Sequence, residues 1–201
     1  MLRPGTFALT LLLSLLTGLG PLSMDMYLPS LPAIGEALHA STAQVQLTIS
    51  SYLLGFAVGQ ILYGPISDRF GRRPVIVSGC FTSASGLILL ALLPGLGGYF
   101  AALAVLGLGS GLLDVGPAAM LGDILKDQSG TVVATYQMAG DIGAVAGPVT
   151  AGYLVDAASY GAAFTVAAGV LGLAAVLGLF APETRWRDRP IDPGLLAGRP
   201  S

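Results

Sequence analysis

The ten residues Gly64-Pro65-Ile66-Ser67-Asp68-Arg69-Phe70-Gly71-Arg72-Arg73 decide the fold class of this chain. They carry four charges, two glycines and a proline, and they lie between two segments that are almost wholly apolar. A charged side chain at bilayer depth costs several kcal/mol. A dense charged turn between two membrane-length segments therefore predicts that residues 64–73 lie at a membrane surface, with a spanning helix on either side.

The composition of the whole chain is that of a membrane protein. Of its 201 residues, 54% are hydrophobic and 10% are charged, whereas soluble domains carry about one quarter charged residues. The 29 glycines fit the same class, because small residues let membrane helices approach closely. The net charge of −2 gives no indication of a nucleic-acid partner. The single cysteine, Cys80, excludes an internal disulfide and a thiol-based metal or redox motif.

Six segments are apolar over the roughly 20 residues that a spanning helix needs. Numbered span 1 to span 6, they are residues 6–28, 43–65, 74–95, 98–122, 131–155 and 160–181. Ser41 followed by Gln44 predicts a capped start for span 2, while Pro94 and Pro182 predict the ends of spans 3 and 6. The sequence thus predicts an all-α membrane protein, with six transmembrane helices in residues 1–184 and a tail over 185–201.

The positive charges agree with this topology. With six spans, all nine lysine and arginine residues fall on one side of the membrane. The ionisable side chains of the opposite loops are Glu36, His39 and Asp156. By the positive-inside rule, both termini are predicted to face the cytoplasm. The basic residues are Arg3, Arg69, Arg72, Arg73, Lys126, Arg185, Arg187, Arg189 and Arg199.

Two alternative interpretations are considered. Arg3 followed by the apolar run Phe7 to Leu19 resembles a secretory signal, but no small-x-small cleavage site follows, so we predict a retained first helix. A soluble all-helical core is the other alternative. Near-continuous apolar spans argue against it, because they have no polar face to offer to water.

Three carboxylates lie at predicted membrane depth. Asp25 lies in the outer half of span 1, and Asp114 and Asp141 lie at similar depth in spans 4 and 5. An ionisable residue inside a membrane is expected to face a water-filled cavity and to mark a proton or cation site. Two carboxylates sharing a dry site cannot both ionise cheaply, so Asp114 and Asp141 are candidates for a proton-sharing pair. Equally, Asp25 fits a helix-end carboxylate at the headgroups, and the other two fit separate neighbours.

Other polar residues and glycines in the spans have two interpretations as well. The polar side chains suit a pathway between helices, and they also suit interhelical hydrogen bonding. Gly107-x-Gly109-x-Gly111 and Gly143-x-x-x-Gly147-Pro148 predict close helix packing, and Pro148 removes a backbone hydrogen bond. The polar residues are Gln46, Thr48, Ser50, Ser51, Tyr52, Gln60 and Tyr63 of span 2, with Tyr136 and Gln137 of span 5.

Four features together resemble the drug:proton antiporters of the major facilitator superfamily, in particular the Bcr/CflA drug-resistance type. Residues 64–73 match the superfamily's signature loop, G-x-L-[AS]-D-[RK]-x-G-R-[RK], with Ile66 in place of the usual leucine. Residues 24–32 are similar to the acidic end of helix 1 in that type, residues 143–152 to its helix-5 antiporter motif, and residues 182–184 to the segment after helix 6. The resemblance covers essentially the whole chain as an N-terminal six-helix half, built as a 3+3 inverted repeat.

The resemblance implies a transmembrane secondary transporter in the cell inner membrane. It would export small amphipathic or cationic compounds against proton entry, with no covalent chemistry and no cofactor beyond the proton gradient. The candidate residues form three groups: a proton and substrate cavity, a cytoplasmic latch in which Arg72 is placed to pair with Asp123, and the antiporter motif. In the cavity group, Asp114, Gln137 and Asp141 come from their positions in the spans rather than from the resemblance. The cavity residues are Asp25, Tyr27, Asp114, Gln137 and Asp141. The latch residues are Gly64, Asp68, Arg69, Gly71, Arg72, Arg73 and Asp123, and the antiporter-motif residues are Gly143, Gly147, Pro148 and Gly152.

The chain departs from the family in two respects. The family's helix-4 motif, R-x-x-Q-G-x-G, reads Leu103-Ala104-Val105-Leu106-Gly107-Leu108-Gly109, without the arginine that normally supports proton coupling. Family members also have about twelve spans, with the site between two six-helix halves. The expected partners are therefore the lipid bilayer, a small-molecule substrate, and either a second copy or a second half. A non-transporting membrane subunit or remnant and a metabolite importer are the alternative functions.

Overall fold

A computed structural model describes residues 31–93, 95–124 and 130–180, which form helices and short connections. Helices α2 to α6 correspond to predicted spans 2 to 6, and α1 is a short additional helix ahead of α2. Span 1, with Asp25 and Tyr27, and the tail 185–201 lie outside the described residues. The helices are α1 Leu31–Ala37, α2 Thr42–Phe70, α3 Arg72–Leu92, α4 Leu96–Ile124, α5 Gly130–Ala157 and α6 Tyr160–Gly178.

The predicted start of span 2 is confirmed in atomic detail. The Gln44 backbone N–H donates to Ser41 Oγ at 3.3 Å, and the Ser41 N–H donates to Gln44 Oε1 at 2.9 Å. This capping box satisfies backbone donors that the first turn of α2 leaves without a helical partner. Ser159 caps α6 with a single hydrogen bond, its Oγ accepting from the Ala162 N–H at 3.1 Å.

Four of the described helices are long and apolar enough to cross a membrane: α2, α3, residues Leu96–Gly122 of α4, and α6. These are predicted spans 2, 3, 4 and 6. Helix α5 has 28 residues and continues through Pro148, but it is not among the four. The crossing of the membrane by α5 and by span 1 stays a prediction.

Helix α4 is the centre of the described bundle. It packs extensively against α2 and α3, and α3 in turn packs against α6. The core is aliphatic: Leu103 and Leu106 of α4, Leu87 of α3 and Leu171 of α6 are almost completely buried. Ordinary side-chain packing therefore joins α3, α4 and α6 into one cluster.

Helices α2 and α4 approach each other more closely than side chains allow, beginning with the glycines of α2. A Cβ atom on Gly55 would collide with the carbonyl oxygen of Ala104, and one on Gly59 with that of Leu108. Both collisions are with backbone, which cannot rotate away as a side chain could. The two glycines are spaced four residues apart, so one face of α2 lies directly on α4.

The glycines of α4 make the same contact in the other direction. A Cβ atom on Gly107 would collide with the carbonyl oxygen of Tyr52, and one on Gly111 with that of Phe56. Residues with higher numbers in α2 contact residues with higher numbers in α4, so the two helices run parallel. We call these four glycines, Gly55, Gly59, Gly107 and Gly111, the glycine interlock. The sequence prediction of a packing face at Gly107 to Gly111 is confirmed.

The glycine interlock predicts a specific stability loss in Gly111→Ala. The new methyl group would meet the Phe56 carbonyl oxygen and push α2 away from α4, which we expect to destabilise the bundle by about 1–3 kcal/mol. The matched control is Gly172→Ala on α6, where no atom lies within 4 Å of the new Cβ. Thermal unfolding in detergent measures both. Equal midpoints for the two variants would contradict the interlock.

Candidate functional site

Gly71 alone connects α2 to α3. Its backbone has φ 98° and ψ 168°, and its N–H donates to the Ser67 carbonyl oxygen at 2.8 Å. A residue with a Cβ atom adopts such a positive φ only under strain. Gly71 therefore lets the chain reverse within one residue, and it places Arg72 at the first position of α3.

The helices extend further into the charged motif than the predicted spans did. Span 2 was expected to end at residue 65 and span 3 to begin at 74, whereas α2 continues to Phe70 and α3 begins at Arg72. Charges do not end a helix when they lie on its outer surface, and Asp68 and Arg69 are exposed. Ser67 Oγ also donates to the Gly64 carbonyl oxygen at 3.1 Å, within the helical extension.

An arginine folds back from this turn onto a buried tyrosine. Arg72 Nη1 donates to Tyr63 Oη at 3.3 Å, and the guanidinium carbon lies 5.9 Å from the centre of the Tyr63 ring. Arg69 lies over the exposed Phe70 ring at 5.5 Å. Arg73 is half-buried. The side chain of Asp123 is outside the described set, so its pairing with Arg72 stays a prediction.

A polar pair lies further along the same helix, at predicted membrane depth. Gln60 Nε2 on α2 donates to Asp114 Oδ2 on α4 at 3.0 Å. Gln60 and Asp114 lie equally far from the starts of two parallel 29-residue helices. Both side chains are exposed on the surface of the bundle. The glycine interlock produces this register, because it fixes α2 against α4 in the adjacent turns.

Asp141 and Gln137 lie on α5, one helical turn apart, and both are exposed. Among the described residues, the hydrogen-bond partner of Asp114 is Gln60, and α4 shares no extensive contact with α5. The structure therefore supplies no contact for the predicted proton-sharing pair of Asp114 with Asp141. Asp114 instead contacts Gln60, which the sequence analysis did not assign to the cavity.

The antiporter-motif residues occupy different faces of α5. Gly147 is buried and Gly143 and Pro148 are half-buried, as a packing face requires. Gly152 is exposed, and no atom lies within 4 Å of a Cβ built there. Gly64 of the signature motif is likewise open around its missing side chain.

Sequence reasoning named Gln60 and Tyr63 only as polar residues of span 2. Their spacing of three residues places them on one side of the helix, and Gln60 and Asp114 lie at similar positions in predicted spans 2 and 4. That depth match was the available signal. The six-span topology already makes spans 2 and 4 run in the same direction. The signal could be used only once α2 and α4 were known to be in contact, which the sequence does not show.

In chemical terms, two polar regions lie along α2. In the first, the exposed carboxylate of Asp114 on α4 accepts from the neutral amide of Gln60, and such a carboxylate can take up a proton or bind a cation. The charged turn at the Gly71 end can form and break ion pairs at a membrane surface, where such charges are tolerated. An amide, a tyrosine and a guanidinium thus follow one another along one helix and its turn.

Comparison with known proteins identifies the family. A model of the Major Facilitator Superfamily matches residues 13–199. This chain belongs to that superfamily, a family of membrane transport proteins rather than enzymes. With its apolar helices of spanning length, the chain is a multi-pass membrane protein.

The relatives carry names from drug resistance. The chain is 35% identical over 191 residues to a bicyclomycin resistance protein homolog of Haemophilus influenzae, covering 94% of this chain and 48% of the relative. It is 35% identical over 112 residues to multidrug resistance protein D of Escherichia coli, covering 56% and 28%. It is 49% identical over 72 residues to a chloramphenicol resistance protein of Pseudomonas aeruginosa, covering 36% and 17%. The chain spans about half the length, or less, of these relatives.

The Gly71 turn predicts that the two glycines of the signature motif differ in their tolerance of alanine. Gly71→Ala forces a Cβ atom onto a backbone with φ 98°, and we expect it to destabilise the bundle by about 1–3 kcal/mol. Gly64→Ala adds its methyl group to open space within a helix and is expected to leave stability unchanged or slightly raised. Thermal unfolding of the two variants side by side gives the result. A loss in Gly64→Ala as large as that in Gly71→Ala would overturn this role of Gly71.

Proposed function

We propose that this chain is one transmembrane bundle of a proton-coupled exporter of small amphipathic or cationic compounds. Its membership of the Major Facilitator Superfamily and the drug-resistance names of its relatives support this proposal. The observation that carries it is the Gln60–Asp114 pair. The pair places a carboxylate that is exposed on the surface of the bundle within helices of spanning length.

The position of Asp114 within a helix of spanning length limits what can surround its carboxylate. Inside a membrane, a carboxylate faces the interior of a bundle or a water-filled cavity, because hydrocarbon cannot solvate its charge. Asp114, Gln60, Asp141 and Gln137 are all exposed. We infer that the faces of α2, α4 and α5 that bear them line a water-filled cavity rather than lipid.

A second six-helix bundle would close this cavity. Transporters of this architecture place the substrate site between two such units and alternate access by rocking one against the other. The chain covers 48% of its bicyclomycin-resistance relative. The second bundle is either another copy of this chain or a separate six-helix unit, and the bilayer surrounds both.

Asp114 would exchange a proton or a cationic group of the substrate. Its Oδ2 atom accepts a hydrogen bond from the Gln60 amide. A proton or a substrate ammonium group would compete for the same oxygens, so occupancy by one would disfavour the other. Asp25 and Tyr27 of span 1, together with Asp141 and Gln137, would complete the polar lining of the cavity.

The charged turn would act as the latch of this exchange. Asp68, Arg69, Arg72 and Arg73 lie beside a one-residue turn at the end of the bundle, with Asp123 as the expected partner of Arg72. Charge networks at a moving interface form in one state and separate in the other. Under this proposal both termini are cytoplasmic, the membrane is the cell inner membrane, and the proton gradient drives transport without a cofactor or covalent chemistry.

The proposal predicts that transport depends on Asp114. Purified chain in proteoliposomes should accumulate a fluorescent cationic dye when a pH gradient is imposed. Asp114→Asn should lower the gradient-driven rate by about tenfold or more, the equivalent of about 1.4 kcal/mol, because the amide cannot exchange a proton. The matched control is Asp156→Asn, which removes an exposed carboxylate near the end of α5 and should transport normally.

The other outcomes discriminate between functions. No dye uptake by inserted, helical wild-type chain would contradict transport by this chain alone and favour a non-transporting subunit. Uptake driven by the opposite polarity of the pH gradient would favour a metabolite importer. Equal rates in Asp114→Asn and wild type would remove Asp114 from the proton pathway.

A further inference from the structure

Tyr63 is held at a junction of three helices. Its side chain is 3% exposed and packs with Val75 of α3 and Leu112 of α4. The remaining neighbours in this cluster are aliphatic as well, namely Ile66, Val115 and Ala119.

Gly116 of α4 packs closely against Ile76 and lies beside the Tyr63 ring. A Cβ atom on Gly116 would lie 3.5 Å from Tyr63 Cε2 and even closer to Ile76 Cγ1. The ring is therefore enclosed by α3 and α4. It offers a fixed surface at the end of the bundle, unlike a side chain that is free to change rotamer.

Arg72 approaches this fixed surface from the far side of the Gly71 turn. Its Nη1 atom donates to Tyr63 Oη at 3.3 Å, and its guanidinium carbon is 5.9 Å from the ring centre. The phenolic oxygen accepts a hydrogen bond, and the negative face of the ring attracts the cation. One tyrosine thus contacts the guanidinium in two chemically different ways.

We propose that Tyr63 is the positioning residue for Arg72. It limits the rotamers of a long cationic side chain and holds the guanidinium against the Tyr63 ring of α2. The contact stands on the geometry described above, and its role in the latch rests on the proposed function. Phenylalanine would fill the aliphatic cluster equally well, so the hydroxyl group that reaches Arg72 is the feature that packing does not explain.

Site-resolved chemical modification tests this assignment. Phenylglyoxal, an arginine-selective reagent, would be applied to the full chain in detergent, and the rate at each arginine would be followed by mass spectrometry. Tyr63→Leu removes the ring and the hydroxyl and should raise the rate at Arg72 about fivefold, the scale of one cation–π contact. Tyr63→Phe retains the ring and should give an intermediate rate.

The same reaction contains its own controls. The rates at Arg69 and Arg73, in the same turn, should not change, and neither should any rate in Tyr153→Leu, which alters a tyrosine that is 75% exposed on α5. An unchanged Arg72 rate in both Tyr63 variants would overturn the assignment. So would a rise shared equally by Arg69, Arg72 and Arg73, because it would indicate general loosening of the turn.

This test needs neither substrate nor a pH gradient. Loss of Arg72 protection in Tyr63→Leu, in a chain that does not transport dye, would uphold the positioning role and count against the proposed function. Normal dye transport by wild type, together with equal Arg72 rates in wild type, Tyr63→Leu and Tyr63→Phe, would support the proposed function and overturn the positioning role.

Discussion

The close backbone contact between α2 and α4 is the constraint on which the described structure depends. Gly55 and Gly59 of α2 pack against α4, and Gly107 and Gly111 of α4 pack against α2, each against a carbonyl oxygen of the other helix. Within a membrane, apolar side chains gain little by leaving lipid, so helix association depends on close packing and hydrogen bonds. A contact made by backbone atoms also fixes the register, since a shift along the helix would place side chains where glycines are required.

The polar contacts follow from that register. The Gln60–Asp114 hydrogen bond lies beside the interlock, and the Ser51 hydroxyl donates to the Phe100 carbonyl oxygen at 2.7 Å across the same pair of helices. Tyr63 lies on the following turn of α2, beside Gly116 of α4, and there it meets Arg72. One packing arrangement therefore places both the carboxylate at membrane depth and the arginine of the charged turn.

Much of this architecture could be predicted from the sequence, because its signals are local. Apolar length predicted the four helices of spanning composition, Ser41 and Gln44 predicted a capping box, and the signature motif indicated the family. The sequence did not predict the helical extension to Phe70, because the spans were delimited by their apolar residues alone. The partner of Asp114 was missed because it depends on how two helices are rotated and which of their faces meet, and neither follows from the sequence of either helix.

Disulfide cross-linking in the membrane is the most direct test of this arrangement. In a chain with Cys80 replaced by serine, the pair Gln60→Cys and Asp114→Cys should cross-link under mild oxidation, because the glycine interlock holds the backbones of α2 and α4 in contact within one turn of both positions. The pair Gln60→Cys and Asp141→Cys should not. Cross-linking of the second pair without the first would contradict the parallel, interlocked packing of α2 and α4.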